Sequence, residues 1–577
     1  MSQFNDYTSL DEKASAPQPH KKKLTPWYQR TAIALTGLLA LSGVYHHVQK
    51  QNAEVSAFEA ITVPETTAIR PESYLHDDSP LKFILKDPGF RSKAAGILSG
   101  SLQIETESYD DNPDPADDMT PWKKFFAFHG YLERQFPLVH KNLKVETVNH
   151  VNLLYTWEGS DPSLKPLMLT AHQDVVPVDK ESAGEWTYPP YSGHYDGTTI
   201  WGRGAQDCKN LLIAELQAVE KLLETGFTPK RTVILAFGND EESGGQGASY
   251  LNHTLTERYG EDSIYAVVDE GLPMVNVGGE WFALPGVSEK GHLDIYIALT
   301  MNGGHSSTPP DHTAIGVMGE LITSLEANPF TPYLPNDSPV MQMLETFAAT
   351  IPEWPESLKK DVANAKKDPA AKKRVLEWMA TSKELKFLVQ TSQAIDIIHG
   401  GVKANALPEY VTLLVNHRII LESTVDETVD RLFTIMNPIA KKYGLHVFYD
   451  EQEMTQQDLF VAEGYFNVSL EGAINALPIA PSSGPVWDLL TGTLKHVFED
   501  EVFENQTLHF APNILVGNTD TKRYTGLTKN LYRFQATRVI DANTGLHSID
   551  EHIGIDQHLE TMAFLYEYIQ NVDATTD

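Results

Sequence analysis

Three short apolar runs in this chain each close on residues able to hold a metal ion. Pro166-Leu-Met-Leu-Thr-Ala171 leads into His172, Thr232-Val-Ile-Leu-Ala-Phe237 into Gly238-Asn-Asp-Glu-Glu242, and Ile264-Tyr-Ala-Val-Val268 into Asp269-Glu-Gly271. Runs of this length bounded by turn residues read as buried parallel strands. Open α/β sheets bind ligands at the carboxyl ends of their strands. The pattern therefore predicts one sheet edge carrying His172, Glu242 and Asp269, with Asp207 and His547 as further residues of ligand type. An enzyme is the leading expectation.

With 577 residues the chain is long enough for two or three domains with full cores. A formal net charge of −33 disfavours nucleic acid as a partner. One cysteine, Cys208, excludes an intrachain disulfide. Toward the N-terminus, Lys21-Lys-Lys23 and Arg30 precede Thr31–Val48, a stretch without Asp, Glu, Lys or Arg. As a helix it would measure about 27 Å, close to a bilayer core. Bases before the segment predict a cytosolic tail and a single-pass type II anchor, a cleaved signal peptide being the rival. Tyr7-Thr-Ser-Leu10 has the form of a cytosolic sorting signal, and Asn-X-Ser/Thr triplets begin at Asn252, Asn336, Asn467 and Asn505. Together these features suggest a glycoprotein in a vacuole- or lysosome-like lumen.

The stretch between Asp269 and His547 is far longer than one loop, so a domain is inserted there. Gly291–Thr300, Tyr410–Arg418 and His446–Tyr449 read as strands, Thr313–Ala327 and Thr424–Tyr443 as amphipathic helices, and 340–400 as mostly helical. This predicts an α+β unit beside the first sheet.

The candidate site can be built from residue chemistry. Zinc takes His nitrogen and carboxylate oxygen, and two zincs can share one carboxylate. Asp207, just before the helix predicted from Lys209, suits the bridge, although an Asp there also suits a helix cap. Asp174, two residues past His172, suits the imidazole's second nitrogen. Glu241 and Glu242 are adjacent and point apart, so one can bind metal while the other, Glu241, faces the water.

Ala171-His-Gln-Asp-Val-Val-Pro177, Gly202-Arg-Gly-Ala-Gln-Asp207, Asn239-Asp-Glu-Glu-Ser243, Asp269-Glu-Gly271, Gly304-His-Ser-Ser-Thr308 and Gly545-Leu-His547 occur in this order. In these motifs the chain resembles the di-zinc metallopeptidase family of aminoacylase and glutamate carboxypeptidase, and with Asn518-Thr-Asp-Thr-Lys522 it looks most like the carboxypeptidase S branch. The resemblance implies an α/β catalytic domain with a mixed, mainly parallel sheet flanked by helices, plus an inserted α+β lid or dimerisation domain. It implies two Zn(2+) per subunit, one held by His172, Asp207 and Asp269, the other by Asp207, Glu242 and His547, with a cis link after Asp207. Glu241 would be the general base, His305 would help stabilise the oxyanion, and Asn405 and Arg418 would meet the substrate carboxylate. In dimeric relatives the lid histidine comes from the other subunit, which admits a homodimer here. The implied divisions are a tail (1–30), an anchor (31–48), a linker (49–75), catalytic segments (76–286 and 451–577) and the inserted domain (287–450). The implied activity is a zinc carboxypeptidase acting on peptides. An N-acyl-amino-acid hydrolase is the alternative, and a non-catalytic anchored binding protein is the reading from another class.

Overall fold

The computed structural model describes residues 61–75, 77–454, 462–540 and 544–576. Its larger sheet is mixed. In spatial order the main path runs Lys144–Val148, Asn152–Trp157, Val233–Gly238, Leu167–His172, Ala266–Val277, Leu531–Arg538, Gly286–Glu289 and Asn513–Leu515. The four strands from Val233–Gly238 to Leu531–Arg538 pair in parallel. Three of them are the apolar runs of the sequence. Leu167–His172 and Val233–Gly238 are buried along their whole length, because helices cover both faces. Leu169, Leu235 and Val268 pack in one cluster with Leu212 and Leu216 of the helix Lys209–Glu224. Met168, Ile234 and Val267 pack on the other face against Ala248 and Leu251 of the helix Gln246–Tyr259. Side chains thus alternate between faces with the two-residue period of a strand.

The second sheet runs in the order Ser392–Gly400, Tyr410–Ile419, Gly291–Met301, Gly464–Ile474, Leu445–Tyr449 and Gln452–Glu453. Leu293, Ile295, Ile297 and Leu299 pack in one core with the helices Ala314–Ala327 and Val425–Tyr443. Both helices begin at a capping threonine: Thr313 accepts from Gly316 N, and Thr424 forms a capping box with Glu427. Gly444, at φ +62, ends the second helix in the left-handed region. An α/β sheet flanked by helices with a separate inserted unit is the expected architecture.

Two features of the inserted stretch differ from the sequence reading. Ser392–Gly400, expected within a helical region, is a strand, in keeping with its β-branched Ile395, Ile397 and Ile398. The helices Pro339–Thr350 and Pro369–Met379 pack with Val275, Phe282 and Leu284, in a cluster separate from the second sheet's core.

The expected membrane anchor is corrected. Among the described residues no helix is long and apolar enough to cross a membrane. Val425–Tyr443 and Ile555–Asp573 have 19 residues each but carry Asp426, Glu427, Lys441 and Lys442 in the one and Asp556, Glu560 and Glu567 in the other. A span needs about 20 predominantly apolar residues. The transmembrane signal anchor, the membrane partner and the type II lumenal placement that followed from them are therefore withdrawn. Residues 31–48, where the anchor was placed, lie outside the described residues.

Candidate metal centre

His172 is the last residue of its strand and is 1% exposed. Its Nδ1 lies 3.0 Å from the Asp174 carbonyl oxygen and 3.2 Å from Asp174 Oδ1. Its Nε2 lies 3.0 Å from Asp207 Oδ1 and 3.6 Å from Glu270 Oε1. The other oxygen of Asp207, Oδ2, lies 3.0 Å from His547 Nε2, which is also 3.2 Å from Glu242 Oε2. Asp207 therefore stands between two groups: His172, Asp207, Cys208 and Glu270, and Asp207, Glu242 and His547. The Asp207–Cys208 peptide is cis.

Each ligand-type side chain is set by local structure. Asp207 lies in a loop gathered around the buried carboxylate of Glu551. Glu551 Oε1 accepts from Gln206 N (2.8 Å) and Asp207 N (3.1 Å), while Oε2 accepts from Arg203 Nη1 (2.7 Å) and Gly204 N (3.0 Å). The strand His552–Gly554 pairs with Thr199–Trp201, which brings the loop of His547 beside that of Asp207. Glu241 and Glu242 open a short 3-10 turn after the strand Val233–Gly238. Their amides donate to Asp174 Oδ1 and Oδ2 at 3.1 Å each, and Ser108 Oγ donates to Oδ2 at 2.6 Å. One buried carboxylate thus orients both His172 and the Glu241-Glu242 turn. Arg523 donates to the carbonyls of Gly244 and Gly245 and holds the far side of that turn.

The electrostatics are those of crowded acids. Burial opposes ionisation of Asp207, yet hydrogen bonds from His172 and His547 hold it well below the ordinary carboxylate range. Hydrogen bonds to Asp207 and Glu242 push His547 up to about 11. Burial and then the charge of Asp207 push both Glu242 and Glu270 up to about 7. Glu241 is raised by burial and then by Glu270. Glu242 Oε1 is buried and has no hydrogen-bond partner among the described residues. Converging carboxylates facing two imidazoles, with a buried oxygen unpartnered, fit cations. The donor set fits two metal ions sharing Asp207.

The structure brings together His172, Asp207, Glu242 and His547, with Asp174 and Glu241 beside them. It differs from the sequence reading at one position. Glu270, not its neighbour Asp269, lies within ligand distance of His172. Asp269 occupies the opposite face of the strand, where its Oδ1 accepts from Glu270 N and its buried Oδ2 has no partner among the described residues. The acidic pair Asp269-Glu270 was the available signal, and only the face of the strand separates its members.

The expected lid residues fall in two places. His305 is exposed on a two-stranded antiparallel ribbon pairing Gly304–His305 with Ala406–Leu407, and its Nδ1 lies 2.7 Å from Ser307 Oγ. Asn405 lies beside the same ribbon, its carbonyl accepting from Ser306 N at 3.3 Å. Among the described residues neither makes a hydrogen bond or ion pair to the cluster. Arg418 is half-buried on the strand Tyr410–Ile419 and feels the charges of Asp294, Glu289 and Glu241.

Comparison with known proteins adds to this geometry. A family model described as "Peptidase family M20/M25/M40" matches residues 168–571. Carboxypeptidase S of Saccharomyces cerevisiae is 46% identical over 498 residues, covering 85% of this chain and 86% of that one. An N-fatty-acyl-amino acid synthase/hydrolase of Homo sapiens is 30% identical over 485 residues, covering 82% of this chain and 87% of that protein. Among solved structures, an M20 family metallo-carboxypeptidase from Sulfolobus solfataricus superposes with a TM-score of 0.57 at 15% identity, covering 84% of this chain and 99% of that one. At that identity it speaks for the fold alone.

Proposed function

This chain belongs to peptidase family M20/M25/M40, and on that premise we propose that it is a two-zinc carboxypeptidase whose general base is Glu241. Enzymatic hydrolysis by a metal-dependent, carboxypeptidase-type site follows from the family and from the paired ligand groups. The observation that carries the finer reading is Asp207, whose two oxygens face His172 and His547 at 3.0 Å each. In this reading His172, Asp207 and Glu270 hold one zinc, and Asp207, Glu242 and His547 hold the other. When bound, the two zinc ions supply a water of lowered pKa and an electrophile for the amide carbonyl oxygen.

The remaining chemistry belongs to the chain. Asp174 fixes the imidazole of His172 through Nδ1 and sets the turn that aims Glu241. Glu241 takes the proton of the attacking water on its carboxylate and returns it to the leaving amine nitrogen. Burial and neighbouring acids favour a proton on Glu241, and the charge of bound cations counters that bias. Arg418 offers a guanidinium fork to the substrate's terminal carboxylate. Asn405 and His305 act from the two-stranded ribbon, His305 on the developing oxyanion. A homodimer in which each ribbon serves its partner's site is compatible with the exposure of His305.

A second reading, hydrolysis of N-acyl amino acids, is favoured by the likeness to the N-fatty-acyl-amino acid synthase/hydrolase. Both reactions release an amino acid with a free carboxylate, so the same Arg418 serves either. The deciding experiment offers the purified protein an N-blocked dipeptide and an N-fatty-acyl amino acid, with and without chelator. Chelator-sensitive release from the dipeptide supports the peptidase. Release from the acyl substrate alone overturns it in favour of the acylase, and release from neither overturns both.

A further inference from the structure

Arg418 makes one guanidinium hydrogen bond among the described residues, from Nη1 to Asn518 Oδ1 at 2.8 Å. A guanidinium carries five N–H donors in a planar fork. A single side-chain contact that pins one corner leaves the rest of the fork for an incoming carboxylate. What fixes Asn518 is as informative as what it touches. Its Nδ2 donates to the carbonyl of Lys290 at 2.8 Å and to Glu289 Oε2 at 3.2 Å. Both donors and the acceptor of the amide are thus assigned. Flipping it would set an NH2 group against Arg418 and an oxygen against two acceptors.

Glu289 is an anchor of unusual depth, with 0% exposure. Its Oε1 accepts from Thr519 N (3.2 Å), Thr519 Oγ1 (2.6 Å), Thr521 Oγ1 (2.6 Å) and Arg533 Nε (3.0 Å). Arg533 comes from the larger sheet, and Glu289 ends one of its short strands. The next two residues carry the chain into the second sheet at Gly291, beside Arg418, which pairs in register with His292. Asn518 therefore spans the joint between the sheets, tied by its amide N–H groups to the joint's backbone and buried acid, and by its oxygen to Arg418.

We propose that Asn518 is a positioning residue: it aims Arg418 of the second sheet at the site on the first, and so sets the affinity for substrates ending in a free carboxylate. The inference rests on Arg418 being the carboxylate-binding group. Without the Asn518 oxygen the guanidinium keeps its charge but loses its fixed direction, so the effect falls on substrate binding more than on the chemical step.

The test is a double-mutant cycle on the zinc-loaded full-length protein, with an N-blocked dipeptide as substrate. Asn518→Ala is expected to raise KM on the order of ten-fold, as for one lost hydrogen bond to a charged group, with a smaller change in kcat. Arg418→Ala is expected to raise KM further, and the double variant to match Arg418→Ala alone. Zinc content stays at the wild-type value in all three. If Arg418→Ala raises KM while Asn518→Ala does not, or if the two effects add in full, the positioning role is refuted and the carboxylate role of Arg418 stands. If Arg418→Ala leaves KM unchanged, the reading of Arg418 fails and takes this inference with it. A wild type without hydrolysis overturns the proposed function itself. Should Asn518→Ala fail to fold, Asn518→Ser, which keeps a short polar side chain, carries the same comparison.

Discussion

Replacing Glu551 by glutamine removes one charge beneath the candidate metal centre while keeping the side chain's shape. Glu551 is 0% exposed and accepts four hydrogen bonds, three from the backbone of the Asp207 loop and one from Arg203, which is itself 4% exposed. The variant turns one acceptor into a donor that faces N–H groups, and it leaves Arg203 without its ion partner at 2.7 Å. Breaking one side of a buried ion pair costs about 3–5 kcal/mol, because the remaining charge stays buried. The same loop carries Asp207, so metal affinity suffers too. Loss of a group that orients a ligand typically costs about 10–100-fold in affinity. Thermal unfolding of the metal-free Glu551→Gln protein is expected to show a melting temperature lower by roughly 3–4 °C, and zinc titration against a competing chelator an affinity weaker by at least about ten-fold. A variant that melts with the wild type and binds zinc within two-fold of it, a factor worth only about 0.4 kcal/mol, would show that Glu551 does not hold the Asp207 loop.

Asp174→Asn keeps the size of a group that meets His172 Nδ1 and the amides of Glu241 and Glu242; activity is expected to fall about 10–100-fold in a steady-state assay, with some loss of stability because the new NH2 group faces an N–H donor. Gly271→Ala places a Cβ 2.3 Å from Arg533 C, against backbone that cannot step aside without moving a strand; denaturant unfolding should register a loss of about 1–3 kcal/mol or more. His558 is buried, lies 2.8 Å from Gln217 Oε1 and is pulled down to about 4, first by burial. Its unfolded value is about 6.5, so the unfolded chain binds the proton first, and the stability His558 contributes is present above pH 6.5 and lost as pH falls toward 4. The stability gap between wild type and His558→Asn is therefore expected to close by on the order of 3 kcal/mol between pH 7 and pH 4, as read by denaturant titration at each pH.

How much of this was legible in the sequence depends on which property is asked for. The apolar runs mark their strands because burial on both faces demands continuous hydrophobic sequence. The ligand types at their ends mark the sheet edge where His172 and Glu242 meet. The same burial hides which face each residue takes. A strand apolar on both sides carries no alternation, so Asp269 and Glu270 look equivalent, and the structure places Glu270 beside His172. The roles of Glu551, Glu289 and Asn518 were unreadable for another reason, although Asn518 stood out within its motif. Each acts through backbone amides or residues far away in sequence, such as Glu289 with Arg533, and no local spacing encodes such a partner. The helices of the inserted unit were legible because their caps and periodicity are local, as at Thr313 and Thr424. The strand Ser392–Gly400 was not, since its place at the sheet edge depends on pairing with Tyr410–Ile419.

The most direct test of the central claim is metal content measured beside hydrolysis for wild type and Glu241→Gln. On the proposed reading, two zinc ions sit on residues other than Glu241, and Glu241 takes the proton. Both proteins are therefore expected to hold two zinc ions per chain, with dipeptide hydrolysis about 10²–10⁴-fold slower in the variant. Hydrolysis undiminished in Glu241→Gln, or persisting in wild type stripped of metal, would contradict it.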